Sequence, residues 1–463
     1  MIDKAREIAL KALYKIDKEN AFSNIALDEE LNKNYKLLNE KDVGLISQIV
    51  YGVTTWRLTL DCIIEKYSKI KLKKISPWII NILRMGIYQI IFLDKIPKSA
   101  AVDESVNLAK RYGHKTSSGF VNAILRKVET KDYEELCDIE QFEEKISKSQ
   151  SMPKWLIQKL LENNNIEKVE EICKNLNLKP QISIRINKLK TNNIELAKEL
   201  ENKGIETKQG ELEDFLIIKN AKNIEKIKEF KEGDFTVQDE SAGLAALFLN
   251  PKKGENVLDA CSAPGGKTTH LAEIMGNEGR IEAWDIYEHR LKLIEENCKR
   301  LDIKIVNTKI QNAENQLSST SIQKNQNSNE TIQELPQYDK ILLDVPCMGT
   351  GVIKRKPDIK WQRKPEDVEE ITKIQFNILQ NCSKLLKQSG EVVYSTCSIL
   401  KDENEEIIEK FLQKNPDFEI ITEQEIKRFP QFEKYLKDKK YLNILPNEEH
   451  DGFFICKLKY KGE

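Results

Sequence analysis

Two cysteines fifty residues apart, Cys347 and Cys397, each end an apolar run that reads as a β-strand. The first run is Ile341-Leu342-Leu343-Asp344-Val345-Pro346-Cys347, the second Glu391-Val392-Val393-Tyr394-Ser395-Thr396-Cys397. A lone cysteine is usually a small hydrophobe, and Cys62, Cys137, Cys173, Cys298, Cys382 and Cys456 are read that way. Cys347 and Cys397 differ because each follows a strand inside a Pro/Gly- or Ser/Thr-rich turn. Open α/β sheets place ligands at strand carboxyl ends, so both thiols are expected to face one crevice.

Two thiols with an acid suit methylation at carbon 5 of a pyrimidine. That carbon is a poor nucleophile in an intact ring. A thiolate adding to carbon 6 gives an enamine whose carbon 5 can take a methyl group. The carbon-5 proton must then leave and the thioether must be eliminated, which calls for an acid/base group and gives a second thiol a use. An acid that protonates or hydrogen-bonds N3 would draw off the charge that develops during addition. Asp344, Cys347 and Cys397 supply that set.

A third strand end, Asn256-Val257-Leu258-Asp259, runs into Ala260-Cys261-Ser262-Ala263-Pro264-Gly265-Gly266-Lys267-Thr268. A P-loop is the strongest rival reading of this segment. Its pattern needs glycine where Cys261 stands, and Pro264 removes one backbone donor for phosphate. Gly265 and Gly266 instead let the backbone approach a ligand at a helix N-terminus. Asp285, about 20 residues on at the end of the next strand, is placed to accept from ribose hydroxyls. A dinucleotide fits this pattern, and so does S-adenosylmethionine, whose carboxylate would use the helix N-terminus as an anion site.

The elements that must position these groups alternate, strand and helix, from Gly233 onward, as in a doubly wound α/β domain. A helix is expected from Glu403 to Leu412, and Asp451 to Leu458 reads as an edge strand. Residues 1 to about 130 carry helical periodicity with few glycines and predict an all-α domain. Between them, residues 131–235 predict a linker helix and a small α/β module, with strands at Ile182–Ile186 and Phe215–Ile218. The stretch Glu314 to Gln337, rich in Ser, Asn and Gln, lacks periodicity and reads as a mobile surface insertion.

A chain of 463 residues is long for one core. No apolar run reaches the roughly 18 residues of a membrane span, and the first residues lack the apolar stretch of a signal peptide; a cytoplasmic location is expected. Nine cysteines form no Cys-x-x-Cys pair and have no histidine at zinc-ligand spacing, so no metal is expected. Net charge is −1, so nucleic-acid binding must rest on local clusters.

The segments Asp344-Val345-Pro346-Cys347, Ser395-Thr396-Cys397-Ser398 and Cys261 to Thr268 resemble the motifs of the RNA cytosine-C5 methyltransferases. Thr236-Val237-Gln238-Asp239-Glu240-Ser241-Ala242 also matches that family, and Gly351 to Trp361 and Asp451-Gly452-Phe453-Phe454 resemble its bacterial 16S rRNA branch. The resemblance implies a NusB-like helical domain over 1–130 and a Rossmann-like, S-adenosylmethionine-dependent domain over 236–463. It also implies that Cys397 is the nucleophile and that Cys347 assists elimination, the reverse of the DNA enzymes. Cys261, Ser262, Ala263, Pro264, Gly265, Gly266, Lys267, Asp285 and Asp344 match cofactor-contacting positions. Relatives usually carry an acid where this chain has Asn312, so weaker or altered cofactor contact is expected there.

Lys354-Arg355-Lys356-Pro357-Asp358-Ile359-Lys360-Trp361-Gln362-Arg363-Lys364 mixes six basic residues with an aromatic. Phosphate contacts plus base stacking use that mixture, and Lys354, Arg355, Lys356, Lys360 and Arg363 are the candidate RNA contacts. Lys110, Arg111, Lys115, Arg126 and Lys127 form a second cluster. The expected partner is 16S rRNA, with no membrane, and the chain is expected to be monomeric. A P-loop NTPase, a non-catalytic RNA-binding module and a DNA-directed enzyme are the alternatives.

Overall fold

The computed structural model describes residues 3–221, 223–315 and 336–462. Most of the Ser/Asn/Gln-rich stretch expected to be mobile, residues 316–335, lies outside them. The chain forms two compact units: Met1–Lys179 with Ile353–Pro365, and Pro180–Val352 with Glu366–Glu463.

The first unit is all-α among its described residues and extends past residue 130 through helices such as Lys154–Leu161 and Ile166–Asn175. Its helices begin where the sequence supplies caps. Asp3 accepts from the Arg6 N–H at 2.8 Å, and Asn39 with Asp42 forms a reciprocal capping box. Ser76 precedes Pro77, whose missing N–H costs nothing in a first helical turn. The apolar faces of Lys4–Lys18, Glu40–Thr55 and Pro77–Phe92 share one core that includes Ile8, Ile49, Ile82 and Leu83. Gly52 is required there: a Cβ on it would lie 1.9 Å from the Tyr88 ring.

The second unit holds two sheets. Strands β1 (Ile182–Ile186), β2 (Glu206–Gln209), β3 (Phe215–Lys219) and β4 (Phe235–Val237) form an antiparallel sheet in the order β2-β3-β1-β4. Helix Asn193–Glu201 packs its Leu196 and Leu200 against it.

The larger sheet is built on β5 (Asn256–Asp259), β6 (Arg280–Asp285), β7 (Val306–Ile310), β8 (Tyr338–Asp344) and β9 (Leu386–Thr396). These are parallel, in the order β9-β8-β5-β6-β7, with connecting helices Gly266–Ile274, Glu288–Leu301 and Pro365–Cys382. Near-continuous apolar strands such as Ile341-Leu342-Leu343 fit a sheet covered on both faces. Strand order reverses beside β5, the switch point where such folds bind ligands.

Four further strands complete the sheet: β10 (Phe418–Ile420), β11 (Leu436–Lys437), β12 (Tyr441–Ile444) and β13 (Phe453–Tyr460). The expectation that the last strand is an edge is corrected. β13 lies between β9 and β12, antiparallel to both. Its run Phe453-Phe454-Ile455-Cys456 is wholly buried, which an edge facing water would not favour. A partly buried ionic ladder spans it: Glu391 on β9 accepts from Lys340 on β8 at 2.6 Å and Lys457 on β13 at 2.9 Å.

Candidate active site

The loop after β5 is tied down by its neighbours. Both the N–H and Oγ of Ser262 donate to the Trp284 carbonyl, at 2.9 and 2.7 Å. Arg290 donates to the Ala263 carbonyl and Asn297 to that of Pro264, each at 3.0 Å. Gly265 has φ +100°, where side chains are rarely tolerated, and caps helix Gly266–Ile274. At Gly266 an added Cβ would meet nothing nearer than Gln238 Nε2 at 3.8 Å. Bare backbone thus covers a helix N-terminus whose first-turn N–H groups suit an anion.

Asp285 ends β6, 6% exposed. Its Oδ1 accepts from the Tyr287 N–H at 3.0 Å, and its Oδ2 pairs with Arg290 at 3.1 Å. The Gln311 N–H donates to the Asp285 carbonyl at 3.1 Å, which brings the Asn312 turn alongside. Asn312 Oδ1 accepts locally from the Glu314 N–H at 2.9 Å.

Arg185, expected only as a member of the strand Ile182–Ile186, supports the loop from β1. Fully buried, it donates to the Gly266 carbonyl at 2.8 Å and to Thr269 Oγ1 at 3.0 Å, and pairs with Glu273 at 2.9 Å. Arg185→Met is expected to destabilise the protein by about 3–5 kcal/mol, because it strands the buried Glu273 carboxylate. Urea unfolding of both forms measures it; equal midpoints would contradict it.

Asp259, at the end of β5, has no solvent exposure. Its Oδ2 accepts from Thr268 Oγ1 at 2.7 Å, while Oδ1 has no partner among the described residues. Burial pushes its carboxyl up to about 7. The unfolded chain releases that proton near the ordinary 3.8 and the folded chain near 7, so this group's stabilisation is lost as pH rises between them. Asp259→Asn removes the titration. Its stability relative to wild type should therefore rise by a few kcal/mol, on the order of 3, from pH 5 to pH 8. Parallel urea midpoints across that range would contradict this.

The two thiols meet. Cys347 Sγ lies 3.0 Å from Cys397 Sγ, and neither is in a disulfide. The hydrogen bond to Cys397, then burial, push the Cys347 thiol well above its ordinary value, and the negative charges of Cys397, Glu403 and Asp344 add to this. Either sulfur can donate in this contact.

Lys267, expected among the cofactor contacts, is bonded to Asp344: Nζ lies 2.7 Å from Oδ2. Ser395 Oγ donates to Asp344 Oδ1 at 3.0 Å, and Nζ sits 5.1 Å from the Phe453 ring centroid. Burial works against the Lys267 ammonium, but Asp344 and then Cys397 outweigh it and hold the proton more tightly than usual. An ammonium, a carboxylate and two sulfurs therefore share one strand-end crevice. Ser395 and Phe453 belong to the Ser395–Ser398 and Asp451–Phe454 segments, and only their pairing is hidden in the sequence.

The basic segment divides. Lys360 is 2% exposed in the helical unit, where it donates to Asn177 Oδ1 at 2.6 Å and the Thr55 carbonyl at 3.2 Å. Burial lowers its ammonium to about 7. The expectation that Lys360 contacts RNA is corrected: it holds Ile353–Pro365 onto the helices, with Trp361 Nε1 donating to the Thr54 carbonyl at 2.7 Å. Lys354 is also buried, Arg355 half-buried, and Lys356 and Arg363 exposed. Lys110, Arg111, Lys115, Arg126 and Lys127 are all exposed.

Residues 246–459 match the family model "16S rRNA methyltransferase RsmB/F", residues 3–130 the "NusB family", and 152–225 the "Methyltr_RsmF/B-like, ferredoxin-like domain". A "Probable ribosomal RNA small subunit methyltransferase B" of Bacillus subtilis is 36% identical over 99% of each chain. The "Ribosomal RNA small subunit methyltransferase B" of Klebsiella pneumoniae subsp. pneumoniae is 31% identical, covering 98% of this chain and 97% of its own. The solved structure of PH0851 shares 27% identity with a TM-score of 0.77 over 99% of both chains. NSun6 from Pyrococcus horikoshii, solved with SFG, shares the fold at 21% identity and TM-score 0.57, covering 68% of this chain and all of its own. No helix among the described residues is long and apolar enough to cross a membrane. With a NusB-like domain, a ferredoxin-like module and a methyltransferase domain in that order, this chain belongs to the RsmB/F family of 16S rRNA methyltransferases.

Proposed function

We propose that the protein transfers the methyl group of S-adenosylmethionine to carbon 5 of a cytosine in 16S rRNA, through a covalent bond between Cys397 and carbon 6. The observation that carries this is the 3.0 Å contact between Cys347 and Cys397 beside the Lys267–Asp344 pair. Two sulfurs so close to an ion pair suit addition and elimination at one ring.

The residues fit the cofactor. S-adenosylmethionine brings hydroxyl and ammonium donors and one carboxylate. Asp285 complements the donors, and the Gly266 helix N-terminus complements the carboxylate. Bound there, it supplies an electrophilic methyl group.

Cys397 adds to carbon 6 as the thiolate. Cys397 is among the groups that hold the Lys267 proton, so the ammonium stands close to the reacting sulfur. Asp344, ion-paired, is an acceptor for the 4-amino group of cytosine, while Lys267 offers a donor to N3 or O2, where charge gathers during addition. Uracil presents an oxygen in place of that amino group and would face the carboxylate unfavourably. Once carbon 5 carries the methyl group, its proton must leave and the Cys397–C6 bond must break. Cys347, 3.0 Å from Cys397, gives its proton to the departing sulfur and, as the thiolate so formed, takes up the proton from carbon 5. The base must leave its stack to reach a strand end, and exposed Lys356, Arg363 and the Lys110–Lys127 cluster offer cations to the phosphates.

The test is transfer of labelled methyl from S-adenosylmethionine to unmodified 16S rRNA, followed by bisulfite sequencing. One protected cytosine is expected. Label at another atom, or none, would overturn the assignment.

A further inference from the structure

Glu403 is a carboxylate with 0% exposure, sixth in sequence after Cys397 and with no place in the chemistry above. Its Oε2 accepts from the Met348 N–H at 2.9 Å, the residue after Cys347. Its Oε1 accepts from Ser398 Oγ, the residue after Cys397. One buried side chain therefore joins the two loops that carry the thiols.

Its neighbours complete a bracket. Gln375 Nε2 donates to Glu403 Oε2 and to the Pro346 carbonyl, both at 2.9 Å, so the residues flanking Cys347 on either side are held. Asn404 accepts from Thr396 Oγ1 at 2.6 Å and donates to the Ser398 carbonyl at 2.9 Å, which does the same for Cys397. Direct bonds between the loops reinforce it: Gly351 N–H to the Cys397 carbonyl at 2.9 Å, and Thr350 Oγ1 with Ser398 Oγ at 3.0 Å. A buried carboxylate is costly unless hydrogen-bonded. A packed apolar residue would stabilise the fold at least as well, so a purely structural role gives no reason for charge at this point.

We propose that Glu403 is a positioning residue that fixes the separation and surroundings of the two thiols, and so sets the rate of enzyme release from RNA. It acts through the loops and touches no substrate. Its negative charge is among those that raise the Cys347 thiol, in keeping with this role. The inference rests on Cys397 as nucleophile and Cys347 as releasing thiol.

Two variants separate clamp from charge. Glu403→Ala removes both. Glu403→Gln keeps an acceptor for Met348 and Gln375, and Ser398 Oγ can turn to accept from the new amide. In Glu403→Ala, kcat should fall about tenfold or more with KM for RNA nearly unchanged, and a covalent RNA adduct should accumulate on denaturing gels. Glu403→Gln should recover most of kcat. Its Cys347 should be alkylated by iodoacetamide with a pH profile displaced to lower pH, read by mass spectrometry without RNA. A folded Glu403→Ala with normal kcat and no adduct would overturn the proposal, as would lost KM without adduct. If that variant does not fold, an unchanged Cys347 alkylation profile in Glu403→Gln overturns it alone. Should Cys347→Ala also leave no adduct, the assignment of the thiols fails first.

Discussion

Cys397→Ala is expected to lower methyl transfer by on the order of 10⁴-fold or more, since no other group can open the pyrimidine ring to attack. Cys347 is a poor substitute. Its bond to Cys397 and its burial keep the proton on it, and Asp344 and Glu403 add to this. Losing its neighbour's sulfur relieves part of that but leaves both carboxylates in place. Cofactor binding should survive, because Asp285, Gly265 and Gly266 lie on the loops after β5 and β6 and not on the loop after β9 that carries Cys397. Titration calorimetry with S-adenosylmethionine and a labelled-methyl assay, run on one preparation, check both halves. Turnover within tenfold of wild type would remove Cys397 from the nucleophile's place.

Cys347→Ala should behave in the opposite way. Addition and methylation proceed, but the departing sulfur lacks its proton donor, so turnover should fall by roughly 10²–10⁴-fold while enzyme accumulates on RNA. The adduct survives denaturing electrophoresis and requires S-adenosylmethionine and the target cytosine. Adding Cys397→Ala to the same chain should abolish it. Normal turnover without adduct would show that the second thiol has no part in release. The double variant also separates covalent trapping from tight binding, since binding alone does not survive denaturation.

The groups legible in the sequence are those whose chemistry is local. Cys347, Cys397, Gly265, Gly266 and Asp285 each stand at a strand end, and alternating strands and helices reveal strand ends without knowledge of pairing. What was hidden depends on pairing across long separations. Lys267 reads as part of a ligand loop until β5 and β8 lie side by side and Asp344 comes within 2.7 Å. Arg185 belongs to a different sheet from the loop it supports. β13 reads as an edge because nothing local announces that Tyr441–Ile444 pairs outside it. Lys360 illustrates the limit of charge patterns: a basic run looks solvated, yet Lys354 and Lys360 are buried, the latter where Trp361 and Asp358 beside it also bond to the helices. Glu403 lay within a predicted helix and actually ends a short 3₁₀ turn before it, which aims its carboxylate between the thiol loops.

The most direct test of two thiols working on one ring uses 16S rRNA carrying 5-fluorocytosine at the target position. After addition and methylation, carbon 5 carries fluorine, which cannot leave as a proton does, and elimination stops. Wild-type enzyme should then be held on the RNA in the presence of S-adenosylmethionine, and peptide mass mapping should find the methylated nucleotide on Cys397. A nucleotide on Cys347, or methylation of the RNA with no covalent complex, would contradict the account.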